Sequence, residues 1–326
     1  MSGLYLHRDL GKLESEPIRA GFGRGLLEAG RRDENVVALC ADLTGSTKMD
    51  LFAKEFPERF VQVGVAEQNL VTVASGLAAM GKVPFASSYA AFSPGRNWEQ
   101  IRTTIALNDR PVKIVGSHAG VSVGPDGATH QMLEDIALMR ALPNMVVVAP
   151  ADAVEAEKAT LALAEDSRPA YLRLAREATP VITSERTPFS LNRAQVFSSG
   201  RDITIVSTGT MTYHALLAAE LLYKEGVDAE VIHLPVIKPL DAVTILQSVQ
   251  KTGAVVTAEE AQINAGLGGA VAELLGENLP TPLRRVGMRD RFGESGQPDE
   301  LFKHFGLDAN HMVKTVHSFL SELGRQ

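Results

Sequence analysis

Short apolar runs alternate with amphipathic helical stretches along most of the chain, and that alternation leaves few folds open. VVALC (36–40), FVQVGV (60–65), the start of KVPFASSYAAFSPG (82–95), VKIVGS (112–117), NMVVVAP (144–150) and AYLRLA (170–175) read as strands. Between them, IRAGFGRGLLEAG (18–30), DLFAKEFPERF (50–60, broken at Pro57), RNWEQIRTTIALND (96–109), MLEDIALMRALP (132–143) and DAVEAEKATLALAED (152–166) read as helices. This succession predicts an α/β fold with a mostly parallel sheet and helices on both faces. Ligands of such sheets gather beyond the carboxyl ends of the strands. The loops beginning at Asp42 and His118 occupy that position, and so does Arg176 after AYLRLA.

The pattern lapses over 179–200, a polar, proline-containing stretch read as a linker, and a second α/β unit follows. Its strands are ITIVS, AEVIHL, AVVTAE and LRRVGM, and its helices MTYHALLAAELLYKEG, DAVTILQSVQKTG and GLGGAVAELLGENL. The boundary is placed between residues 185 and 186, giving units 1–185 and 186–326. GLGG (266–269) suits either a phosphate at a helix N-terminus or close helix packing. Without a full fingerprint, packing is the expectation.

VGVAEQNLVTVASGLAAMG (63–81) stands out within the first unit. Leu70, Val73, Ala74, Leu77 and Ala78 recur at helical spacing, and Gly81 supplies a stop. Glu67 then falls in the first turn of a largely buried helix. The helix dipole favours an anion there, whereas burial keeps the proton on. Such a carboxylate can cap the helix or act as a general acid.

A chain of 326 residues, with 45% hydrophobic and 22% charged residues, has material for two ordinary soluble domains. Its net charge of −7 argues against nucleic acid or an anionic membrane as main partner, while leaving room for a local basic pocket. Cys40 is the only cysteine, so neither an intrachain disulfide nor a cysteine metal cluster is expected, and it reads as a buried strand residue. The N-terminal MSGLYLHRDLGKLESEP lacks a signal-peptide core, and no apolar run reaches membrane-spanning length. A cytoplasmic protein is expected.

Three motifs occur together: ADLTGS (41–46), GVAEQN (64–69) and the glycine-rich GSHAGVSVGPDGATHQ (116–131). With them the chain resembles the C-terminal half of transketolase, a thiamine diphosphate enzyme, over nearly its whole length. The resemblance implies a pyrimidine-binding domain up to about residue 185 and a smaller transketolase C-terminal domain, with VIKPLD (236–241), after it. It implies that Glu67 meets the ring nitrogen of the cofactor's aminopyrimidine and relays the proton that activates it. Tyr89 and Phe92 match aromatics that wall the pyrimidine, and Asp42 matches a residue near the thiazolium ring. A third family aromatic falls on Gly95, a departure. Arg19, Ser46, His118 and Arg176 match residues that bind the substrate phosphate. Asp126 matches the group that holds a sugar hydroxyl, and His130 a histidine near the reacting carbonyl.

The family anchors the diphosphate through Mg²⁺ or Ca²⁺, with a GDG motif and a downstream Asn. This sequence has no GDG, its one Asp-Gly pair being Asp126-Gly127, and no residue of it is expected to bind the metal. The resemblance therefore implies a split transketolase: a separate N-terminal subunit would hold the diphosphate and the metal, within two copies of each chain. The expected substrates are sugar phosphates that exchange a two-carbon ketol unit. Deoxyxylulose phosphate synthase and the beta subunits of 2-oxo acid dehydrogenases are the neighbouring alternatives. A non-catalytic regulatory subunit is the alternative of another class, and the joint presence of Glu67, His118, Asp126 and His130 speaks against it.

Overall fold

The structure is a computed structural model, and it describes residue 6 and residues 9–325. The reading of the N-terminal stretch as lacking a signal-peptide core lies partly outside the described residues. Among the described residues the strands form three sheets, the larger ones of seven and five strands. The seven-stranded sheet runs Val236–Lys238, Val146–Val148, Ala170–Arg173, Lys113–Ser117, Val83–Tyr89, Val36–Cys40, Phe60–Gln62. All neighbours are parallel except Val236–Lys238, which lies antiparallel to Val146–Val148.

Helices cover both faces, as the alternation predicts. Val36, Ala38 and Cys40 point to one face and pack with helices Ile18–Arg32 and Ala153–Glu165. Val37 and Leu39 point to the other and pack with Glu67–Ala79 and the 101–106 and 135–140 segments. The first two helices approach closely because Gly21 and Gly25 face the second. A Cβ on Gly21 would lie 1.8 Å from the Ala153 carbonyl oxygen. Asp152 caps Ala153–Glu165 through the Glu155 amide and also accepts from the amides of Ile182 and Thr183.

The second sheet runs Leu283–Met288, Val255–Gln262, Ile203–Ser207, Ala229–His233, Gln195–Ser198. Only Gln195–Ser198, inside the stretch read as linker, is antiparallel. Its burial is broken by an exposed Val196, which disguised a sheet-edge strand as polar connection. The start of that stretch is also ordered, since Ala178–Pro180 pairs with Ser15–Pro17. Helices Pro298–Phe305 and Ala309–Glu322 complete the chain.

Three elements differ from their sequence reading. Over 96–109, α-helical turns cover only Trp98–Gln100, and Ile101–Ala106 winds as a π-helix. There the Ser75 hydroxyl donates to the Thr104 carbonyl and the Asn108 amide to those of Thr103 and Thr104, so side chains take carbonyls an α-ladder would use. MLEDIALMRALP is helical only over Asp135–Arg140, because Met132 bridges Ala119 as extended chain. FVQVGV pairs only over Phe60–Gln62, and Gly64 then takes a positive φ of 73°. Among the described residues no helix is long and apolar enough to cross a membrane.

Candidate active site

Glu67 opens its helix where the sequence puts it, with Ala66 as the preceding cap residue, and its side chain is 1% exposed. It does not cap its own helix by a side-chain bond. One carboxylate oxygen accepts from the Ser88 hydroxyl at 3.3 Å and the other from Arg96 Nη1 at 2.6 Å. Asn97 donates to the Glu67 backbone carbonyl at 2.8 Å, and its own Oδ1 is buried without a hydrogen-bond partner.

From Glu67 a continuous line of contacts crosses the carboxyl edge of the sheet. The Arg96 guanidinium lies 4.7 Å from the Phe92 ring centre. Phe92 stacks with Tyr89 at 6.1 Å and meets His130 edge-on at 5.4 Å. Tyr89 stacks on His118 at 3.8 Å. His118 follows the Lys113–Ser117 strand in a left-handed conformation, φ 59°, and its Nδ1 lies 2.8 Å from the Ser117 hydroxyl. Burial, helped by Arg19, Arg176 and His130, pushes its pKa down to about 3, so the ring is neutral at pH 7.

The basic end comprises Arg19 and Arg176. Arg19 donates through Nε to the Arg176 carbonyl at 3.1 Å and through Nη1 to the Ser46 carbonyl at 2.5 Å. Burial lowers its pKa, and the Arg176 charge adds to that. Arg176 donates to the Val123 carbonyl and lies 3.5 Å from the Asp126 carboxylate. Paired guanidiniums beside a neutral imidazole and a Ser46 backbone contact form a site suited to an anion. Asp42 stands apart from this line. It is also left-handed (φ 61°), its amide donates to the Gln62 side chain at 2.6 Å, and its strand lies beside that of Tyr89, with Cys40 opposite Ser87.

Comparison with known proteins shows the family. Residues 15–181 match the family described as transketolase, pyrimidine binding domain, and residues 192–312 match transketolase, C-terminal domain. The chain belongs to the transketolase family. A Methanocaldococcus jannaschii protein, provisionally named a transketolase C-terminal section, is 46% identical over 92% of this chain and 95% of its own length. A 6-deoxy-6-sulfo-D-fructose transketolase subunit from a Clostridium species is 44% identical over 94% and 95%. A solved structure described as a split-gene transketolase, an inactive β4 tetramer, superposes with a TM-score of 0.88 at 45% identity, covering 94% of this chain and 98% of that one.

Transketolases use thiamine diphosphate with a divalent cation. The residues here fit one end of that cofactor: a buried carboxylate beside stacked aromatics suits a flat ring with a basic nitrogen. Among the described residues no group of three or more His, Cys, Asp or Glu is placed to hold a metal ion. At Gly95, where the resemblance leads one to expect an aromatic, a Cβ would lie 2.1 Å from the Ala91 carbonyl oxygen, so this backbone admits no side chain. In GLGG, the Leu267 and Gly268 amides are already taken by the buried Glu259 carboxylate, and a Cβ on Gly266 would lie 2.0 Å from it. That helix start is therefore closed to a phosphate, and its glycines serve packing.

Sequence reasoning missed Arg96, Ser88 and Asn97 around Glu67. The available signal was an arginine directly after the departing Gly95.

Proposed function

We propose that the chain is the C-terminal subunit of a two-chain transketolase that moves a two-carbon ketol unit between sugar phosphates. Residues 1–185 would form its pyrimidine side and 186–326 its C-terminal domain. A separate subunit would hold the diphosphate and its Mg²⁺ or Ca²⁺, in an assembly of two copies of each chain. The reading rests above all on the line from Glu67 through Phe92, Tyr89 and His118 to Arg19 and Arg176. The likeness to separately named transketolase subunits supports the split arrangement.

When bound, thiamine diphosphate supplies the nucleophilic carbon that takes up the ketol unit. The chain's own residues do the rest. Glu67 holds and returns a proton at the pyrimidine ring nitrogen, and burial keeps that exchange away from water. Tyr89 and Phe92 would hold the ring, and Asp42 would lie toward its thiazolium end. Arg19, Arg176, Ser46 and His118 bind the substrate phosphate, with the neutral imidazole as a hydrogen-bonding partner. Asp126 accepts from a sugar hydroxyl, and His130, against Phe92, stabilises charge or moves a proton at the reacting carbonyl.

The test is turnover of a ketose phosphate donor and an aldose phosphate acceptor by this chain with its companion subunit, thiamine diphosphate and Mg²⁺. Glu67→Ala should lower kcat by about 10²–10⁴-fold. Unchanged turnover in the variant refutes the assignment, and preference for pyruvate as donor would redirect it to the deoxyxylulose phosphate synthase or oxo acid dehydrogenase branches.

A further inference from the structure

Arg96 has no place in the roles given above, yet it makes the shortest contact to the most deeply buried carboxylate of the site. Its Nη1 lies 2.6 Å from Glu67 Oε2, while the other oxygen has only the longer Ser88 bond. The two partners differ sharply in exposure: the Glu67 side chain is 1% exposed and that of Arg96 49%. One partner is fixed by the fold and the other has solvent to move into. Arg96 also follows Gly95, where no side chain fits, and rests its guanidinium on the face of Phe92. It therefore covers both the carboxylate and an aromatic that the cofactor ring would need.

We infer that Arg96 is a latch on the cofactor site. There it gives Glu67 the counterion that a buried charge would otherwise lack. While it is in place, Glu67 Oε2 faces a guanidinium that has no proton to give up to it. The other oxygen is held by the Ser88 hydroxyl, so proton exchange with a ring nitrogen falls to Oε2, and the arginine must swing out to solvent as the pyrimidine arrives. Binding of the cofactor then exchanges one partner of Glu67 for another, and part of its intrinsic affinity is spent on displacing Arg96. The inference rests on the assignment of Glu67 to the pyrimidine.

Thiamine diphosphate affinity, measured by calorimetric titration of the complex with the companion subunit and Mg²⁺, tests it. Arg96→Ala should bind the cofactor more tightly, by about two- to five-fold, the worth of a half-exposed ion pair. Arg96→Lys should fall between it and the wild type. In a Glu67→Gln background, where there is no charge to latch, Arg96→Ala should leave affinity unchanged. Weaker or equal binding by Arg96→Ala, with wild type binding normally, overturns the latch alone. An equal effect in both backgrounds also overturns it. A wild-type complex that binds no thiamine diphosphate overturns the latch together with the function it rests on.

Discussion

His118 combines three features that rarely coincide: a left-handed backbone, near-complete burial and a ring stacked on Tyr89. Strained positions of this kind collect at functional sites. Its pKa is held down to about 3 against 6.5 for a free histidine, first by burial and then by Arg19 and Arg176. Between those values the unfolded chain binds a proton that the folded chain refuses. His118 therefore contributes stability above about pH 6.5 that is lost as the pH falls toward 3. At pH 5 the loss from this residue amounts to about 2 kcal/mol. Urea unfolding of His118→Asn should show a correspondingly shallower fall in stability between pH 7 and pH 5. An identical pH slope in the variant would show that the imidazole is not the titrating group.

The Ile18–Arg32 helix illustrates how one element sets the site. Its glycine face lets it settle against Ala153–Glu165, and that depth carries Arg19 to the Ser46 and Arg176 carbonyls. Gly21→Ala puts a methyl 1.8 Å from backbone, which cannot yield as a side chain would. Overpacking of this sort costs about 1–3 kcal/mol. The expected outcome is a lower denaturation midpoint and, on the proposed function, a higher KM for a sugar phosphate in the complex with the companion subunit as Arg19 shifts. A normal KM in a destabilised variant would separate helix packing from anion binding. The π-helical turns at Ile101–Ala106 were invisible in the sequence because the apolar spacing of RNWEQIRTTIALND fits an α-helix equally well. Side chains of Ser75 and Asn108 bond the Thr103 and Thr104 carbonyls there, contacts that the apolar spacing does not encode.

At the scale of the whole molecule, the second half of the chain is bound into the first. Val236–Lys238 adds the outer strand to the first sheet. Buried Glu260 accepts from the Ser122 amide at 2.6 Å and from the Thr210 hydroxyl at 2.6 Å, and Gln131 donates to the Glu294 carbonyl at 2.9 Å. The loop carrying His118, Asp126 and His130 is thus held from outside its own sheet. Glu260→Leu removes both acceptors and leaves the buried Ser122 amide without its partner, at about 1–3 kcal/mol. Amide hydrogen exchange should then accelerate at Ser122 and its neighbours in the loop. Unchanged protection there would mean the loop holds itself.

The sequence by itself determined the alternation of the main strands and helices, the α/β class and the first-turn position of Glu67, because apolar periodicity is a local property that each segment satisfies for itself. It also carried the motifs that mark the family, down to the carboxylate, the aromatics and the histidines of the candidate site. Tertiary structure alone decided the partners. Arg96 reaches Glu67 across 29 positions and Glu260 reaches Ser122 across 138. Glu259, by occupying the amides of GLGG, closed off the phosphate use and left the packing that was expected of those glycines. Burial and counterions depend on which distant segments pack together, and with them depend the neutral state of His118 and the resting charge pairing of Glu67.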